Sequence, residues 1–255
     1  MITEYLHPLA IEMLKVAEAI VTDLGIEFYI VGAVARDILL SARPEYTSKR
    51  MTNDIDFAIM VGNEEEFYII KERLLATGLF NAHETEAIKL FYKERLEIDL
   101  MPFGGIENKE REIELKKPKL FKMDMPGFLE LIPYLQTITI EDLSFKAVSM
   151  EGIVLLKLFA WGDRPVRTKD ISDIEHIIEA YFDLNSDEIY DNYYDVMGLF
   201  DTVNPLYLKL VAARVIGRKM HEIIKEDVSL LKRIKDVLRK RPTEEWQELL
   251  NGIED

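Results

Sequence analysis

At 255 residues, 48% hydrophobic and 31% charged, the chain has the composition of a globular protein long enough for one large domain or two modest ones. It has no cysteine, which excludes disulfides and thiolate metal sites. Its four histidines (His7, His83, His176, His221) lack metal-ligand spacing, so any metal is expected to be a hard cation held by carboxylates. The formal net charge of −15 argues against a general polyanion binder.

The segment Met1–Lys15 carries Glu4 and Glu12 and lacks the basic start and apolar stretch of a signal peptide. Pro8–Leu24 has the apolar spacing of a helix, ended by Gly25. Ile26–Val31 reads as a strand closed by Gly32, and Ala33–Ala42 as a helix stopped by Pro44. Glu45–Asn53 is polar and reads as a loop; Arg36 and Arg50 are taken as structural or surface residues. A second strand is predicted over Asp54–Val61, an amphipathic helix over Glu64–Thr77, and two further strands over Ala87–Tyr92 and Leu96–Phe103, joined by Lys93-Glu94-Arg95. Gly104–Lys122 is charged and reads as irregular, and Thr137–Ile140 as one more short strand.

From Glu151 the pattern is helical, over Glu151–Trp161, Lys169–Tyr181, Pro205–Lys225, Val228–Arg239 and Thr243–Asn251. The apolar run Ile153–Trp161 is too short to span a membrane and is interrupted by Lys157. A cytoplasmic protein with no membrane partner is therefore expected. The division is an α+β arrangement: a mixed α/β domain over residues 1–145, then an all-helical domain over 146–255. Charge is uneven along it. Lys209–Arg241 carries eleven Lys/Arg against four Asp/Glu, while Ser186–Asp201 has five acids and no Lys or Arg. The basic stretch is either a set of solvated helix faces or a lobe that holds nucleic acid or phosphate.

The residues that point to chemistry are Asp54-Ile55-Asp56. Side chains alternate along a strand, so both carboxylates share the face opposite Ile55 and Phe57. Glu97 and Asp99 alternate with Ile98 and Leu100 in the same way; if the two strands are neighbours, a third carboxylate joins the pair. Converging carboxylates resist joint ionisation, and divalent metal resolves that repulsion. The third acid could also accept the proton of an attacking hydroxyl, and the residues alone leave Glu97 and Asp99 as competitors for this role. Gly32 stands between a strand and a helix, where unpaired amides and the helix dipole favour an anion. Taken singly, an Asp-x-Asp is often a turn former and such a glycine a tight turn; the combination is what informs.

These residues resemble the nucleotidyltransferases of the DNA polymerase β superfamily, with Gly32-Ala33 at the strand–helix turn, Asp54-Ile55-Asp56 on the next strand and Asp99 on a later one. Gly32–Leu40 is also similar to the G-G-x-V-R-D-x-L-L run of CCA-adding enzymes. Lys157-Leu-Phe-Ala-Trp161, Asp163-Arg164 and Lys169-Asp170-Ile-Ser-Asp173-Ile174 resemble a segment of AbiEii-type nucleotidyltransferases, a group that includes toxins of toxin–antitoxin pairs, some acting on tRNA. The resemblance spans roughly residues 26–180. It departs from the family pattern in Ala33, which replaces the usual second Gly or Ser, and in the longer glycine-to-aspartate spacing.

The resemblance implies a polymerase-β-like mixed sheet followed by a helical domain, and a magnesium-dependent transfer of a nucleoside monophosphate from an NTP to an acceptor hydroxyl. On it, Gly32 and Ala33 hold triphosphate, Asp54, Asp56 and Asp99 hold Mg2+, and Asp99 is preferred over Glu97. Lys157 and Lys169 neutralise phosphate, and Asp170 positions a lysine or takes part in chemistry. The acceptor it suggests is RNA, tRNA in particular, with an antitoxin as protein partner. A small-molecule acceptor, as in antibiotic nucleotidyltransferases, and a non-catalytic nucleotide-binding relative are the alternatives.

Overall fold

A computed structural model describes residues 8–46, 54–140 and 143–255. The chain divides into two compact units: a mixed α/β unit of the described residues up to Ser41 and from Asp54 to Ser149, and a helical unit of Ala42–Tyr46 with Met150–Asp255.

In the mixed unit, helix α1 (Pro8–Asp23) starts on a proline, whose missing N–H is unneeded in a first turn, and buries Ala10, Met13, Leu14, Ala17 and Val21 along one face. After it come β1 (Phe28–Val31) and, with no linker, α2 (Gly32–Leu40). Strand β2 (Asp54–Met60) leads to α3 (Glu64–Ala76), whose N-cap Asn63 accepts the Glu66 amide while Glu66 reaches back to the Gly62 amide. Then come β3 (Phe80–Ala82), β4 (Lys89–Tyr92), β5 (Leu96–Phe103), β6 (Glu112–Leu115), β7 (Phe121–Asp124), β8 (Gln136–Ile140) and β9 (Leu143–Ala147). Seven of these strands form one mixed sheet in the order β3-β4-β5-β2-β1-β9-β8. Its apolar positions Tyr29, Ile30, Phe57, Tyr92 and Phe103 are fully buried with Met13, Leu14 and Phe67 from the helices. Each such side chain contributes about 1.5–3 kcal/mol by leaving water.

Gly104–Lys122, read from sequence as irregular, instead begins a two-stranded sheet of β6 and β7. Its alternation is only four residues long, with Ile113 and Leu115 buried in alternation with exposed Glu112 and Glu114, and the surrounding charges hide it. Strands β3 and β9 and the short helices of the 186–197 region were likewise too short for periodicity to reveal. The polar stretch read as a loop, Glu45–Asn53, lies largely outside the described residues, as do Arg50 and the first seven residues. Its described residues, Glu45 and Tyr46, belong to a turn of 3-10 helix, Pro44–Tyr46, in the helical unit, where the Tyr46 hydroxyl donates to the Asp183 carboxylate.

The helical unit comprises α4 (Met150–Asp163), α5 (Thr168–Leu184), α6 (Ser186–Asn192), α7 (Tyr194–Met197), α8 (Tyr207–Ile224), α9 (Val228–Leu238) and α10 (Glu244–Glu254). Trp161 and Trp246 meet edge to face in its core, ring centroids 5.1 Å apart. The tightest approach is between α8 and α10. A Cβ on Gly217 would lie 2.3 Å from the Leu249 carbonyl oxygen, and one on Gly252 would lie 2.2 Å from that of Arg214. Backbone, unlike a flexible side-chain end, cannot give way. No described helix is long and apolar enough to cross a membrane. Gly217→Ala is predicted to destabilise the helical unit by about 2–3 kcal/mol, read by circular dichroism as a fall in melting temperature on the order of 5–10 °C.

Candidate active site

Strand register assembles the acidic face. β2 runs parallel to β5, so Asp54 lies opposite Glu97 and Asp56 opposite Asp99. β5 pairs antiparallel with β4, so Asp99 lies opposite Lys89. Laterally paired residues project to the same side of a sheet. One row across three strands therefore reads Lys89–Asp99–Asp56, and the next row holds Glu97 and Asp54.

On the other side of Asp56, β1 pairs with β2 so that Val31 is opposite Asp56, and the chain then turns into α2 at Gly32. Gly32 has φ +68, and a Cβ built on it would fall 1.9 Å from Asp56 Oδ2. Glycine is required here twice over, by the left-handed backbone and by the carboxylate that fills the space of a side chain. The helix start beside it, with Ala33 in its first turn, has no side-chain cap, which leaves first-turn N–H groups for another acceptor. The structure thus brings Gly32, Ala33, Asp54, Asp56 and Asp99 to one end of adjacent elements.

Asp54 is exposed and Asp56 half-buried. Asp99 Oδ1 is buried without a hydrogen-bond partner; the Lys89 ammonium, 3.3 Å away, is an ion pair set off hydrogen-bond alignment. Burial pushes the Asp99 carboxyl above its usual range, Lys89 pulls it partly back, and Glu86 and Asp54 add to the rise. Glu97, the competitor for the third position, is held by Lys89 through its Oε1. Among the described residues no group of three His, Asp or Glu side chains is gathered into a metal cluster. The donor chemistry nonetheless suits a divalent cation. Asp54, Asp56 and Asp99 offer only carboxylate oxygens, the hard ligands that magnesium takes, and Asp99 Oδ1 is buried with an ion pair to Lys89 but no hydrogen bond to it.

Lys89 is the residue of this face that sequence reading missed. Its signal was the hairpin: pairing Tyr92 with Leu96 across Lys93-Glu94-Arg95 places Lys89 opposite Asp99 by counting back. Arg36 is paired with its neighbour Asp37 at 2.6 Å, and both side chains are largely buried.

Lys157, Lys169 and Asp170 belong to the helical unit. The apolar stripe of α5 in the sequence, Ile171, Ile174, Ile177, Ile178 and Tyr181, predicts Asp170 on the polar side with Lys169 and Asp173; instead it is buried, 3% exposed. Lys157 of α4 explains this, because its ammonium sits 3.2 Å from Asp170 Oδ1 and 2.5 Å from Asp173 Oδ2. Arg167 Nε lies 3.1 Å from the other Asp170 oxygen. Lys169 is exposed. The basic stretch Lys209–Arg241 is largely neutralised in place: Lys209, Arg214, Arg218, Lys219, Lys225, Arg233, Lys235, Arg239 and Arg241 each pair with a carboxylate. A surface groove lined by Tyr68, Ile69, Leu75 and Pro118 contains none of the candidate residues.

A strand-borne carboxylate pair against a glycine-led strand–helix turn is the arrangement of a nucleotidyltransferase, and comparison with known proteins names the branch. The family model described as nucleotidyl transferase AbiEii toxin, type IV toxin–antitoxin system, matches residues 23–255. The chain belongs to this AbiEii family and is a nucleotidyltransferase. No curated protein sequence matches it. Among solved structures it is similar to the antibiotic-resistance factor ANT(2'')-Ia in solution, at 13% identity and TM-score 0.41 over 74% of this chain and 95% of that one. The crystal structure of ANT(2'')-Ia with adenylyl-2''-tobramycin gives 13% and 0.40 over 72% and 94%. An antigenic nucleotidyltransferase-like protein from Paracoccidioides brasiliensis gives 16% and 0.43 over 94% and 90%.

Two outcomes are predicted. Gly32→Ala displaces the Asp56 carboxylate and lowers the initial rate of nucleotidyl transfer by on the order of a hundredfold. Asp99→Asn raises the melting temperature near neutral pH. A carboxyl whose folded pKa is raised stabilises the fold while protonated and loses that contribution as pH rises through it, so the gain from the amide shrinks as pH falls towards the acid range. Melting curves across pH check the sign.

Proposed function

We propose that the acidic face of the mixed unit is a magnesium–nucleotide site, and that the protein moves a nucleoside monophosphate from an NTP to an acceptor hydroxyl. One observation carries the reading: the Asp56 carboxylate is packed against the backbone of Gly32 at an uncapped helix start, with its oxygen where a Cβ would be. On this reading a cation ligand and a phosphate cradle would lie side by side. Asp54, Asp56 and Asp99 would hold Mg2+, and Gly32 and Ala33 the triphosphate. Bound there, the ion would supply charge neutralisation for the phosphates and activation of the attacking hydroxyl.

The chain's own residues position and take up a proton. The acceptor oxygen bonds to the α-phosphorus while the bond to pyrophosphate breaks, and the acceptor's proton passes to Asp99. Its half-buried carboxylate, raised in pKa by that burial, is suited to receive it. Within the helical unit, Asp170 and Asp173 hold the Lys157 ammonium between them. Most of the rate enhancement on this reading is positioning and charge compensation, as for other reactions at phosphorus.

Membership of the AbiEii family favours an RNA acceptor, tRNA in particular, and a cytoplasmic toxin paired with an antitoxin. A small-molecule acceptor is the second reading, favoured by the in-place neutralisation of Lys209–Arg241 and the net charge of −15. Incubating the protein with each labelled NTP, Mg2+ and total RNA tests the proposal. Label transfer is expected with one or more NTPs, falling by on the order of a thousandfold in the Asp54→Ala, Asp56→Ala double variant. Transfer undiminished in that variant overturns the site. Acceptor binding that weakens steeply with added salt marks RNA; indifference to salt marks a small molecule.

A further inference from the structure

We propose that Lys89 is a resident counter-cation of the carboxylate row and that it makes divalent-cation binding conditional on the nucleotide, an inference that rests on the metal–nucleotide reading of the site. Lys89 is mostly buried, 14% exposed, and faces Glu97 and Asp99 together. Register makes this unavoidable: Lys89 is opposite Asp99, which is opposite Asp56, so the ammonium closes the end of the very row whose other members are the candidate ligands.

A bare divalent cation entering this row meets a fixed positive charge 3.3 Å from the oxygen it needs. Like charges at such range in a partly buried place repel strongly. The ion is therefore held weakly unless something compensates for it. A triphosphate supplies that compensation with several negative charges, so the ion enters as its phosphate complex. Lys89 can then swing away from Asp99 on its flexible stem without losing a partner, because Glu97 in the adjacent row already holds it. The two acids on β5 thus divide the work. Asp99 faces the nucleotide site, and Glu97 keeps the lysine. Lys89 is a positioning residue, acting through Asp99.

The test is calorimetric titration of the protein with Mn2+ alone and with preformed Mn2+·tripolyphosphate, which carries the charge without committing to a base. Wild type is expected to bind the complex at least about tenfold more tightly than bare Mn2+. Lys89→Met is expected to gain about tenfold for bare Mn2+, closing that gap, while Lys89→Arg, which keeps the charge, behaves as wild type. Lys89→Gln is measured beside Lys89→Met so that loss of fold in one variant leaves the other to read. Adding Asp56→Asn to Lys89→Met abolishes the gained affinity. If neutralising Lys89 leaves the affinity for bare Mn2+ unchanged while wild type still binds the complex tightly, the role of Lys89 is overturned and the site stands. If no form binds Mn2+ under either condition, the metal–nucleotide reading falls and this inference falls with it.

Discussion

The contact between the Gly32 backbone and the Asp56 carboxylate is the constraint on which the mixed unit turns. The antiparallel pairing of β1 and β2 brings Val31 opposite Asp56, and the chain enters α2 at the next residue. An oxygen of Asp56 occupies the place of a side chain at Gly32, so the strand, the turn and the helix start are fitted as one piece. Any other residue there would either push the carboxylate away or drag β1 out of register. On the proposed reading, a helix N-terminus and an acid held this close complement one another. One end of the nucleotide's phosphate chain needs donors, and its charge needs a cation.

Charge compensation is the second theme, and it repeats in both units. On the sheet, parallel pairing of β2 with β5 sets two carboxylates side by side, and Lys89 closes the row. In the helical unit, Lys157 lies between Asp170 and Asp173, and Asp170 is buried by that arrangement. In each place a lysine compensates the charge of a carboxylate that is wholly or partly removed from water, since an unpaired buried charge is far costlier than a paired one. The basic run of α8 and α9 obeys the same rule, its charges paired with acids of neighbouring segments.

Much of this was legible in the sequence, for identifiable reasons. Asp54-Ile55-Asp56 announced its shared face because strand alternation is strict, and Gly32 announced a turn because it ends an apolar run. The long helices were legible from their spacing. What stayed hidden depends on tertiary pairing. That Asp56 and Asp99 are register partners needs the parallel β2–β5 ladder, which no local pattern specifies. Asp170 looked polar-facing on α5 because its cover, Lys157, arrives from another helix. The β6–β7 hairpin escaped because four alternating residues among charges carry too little periodicity. Lys89 was within reach through the hairpin register and was missed because a lysine among strand residues reads as solvated surface.

The central claim is that the row containing Asp56, beside the start of α2, is where metal and nucleotide meet. A crystal structure of the protein soaked with Mn2+ and a non-hydrolysable nucleoside triphosphate tests it most directly. Anomalous density at the carboxylates of Asp54 and Asp56, with the triphosphate resting on the amides after Gly32, is the predicted result. Nucleotide bound elsewhere, with no metal at these carboxylates, would contradict it.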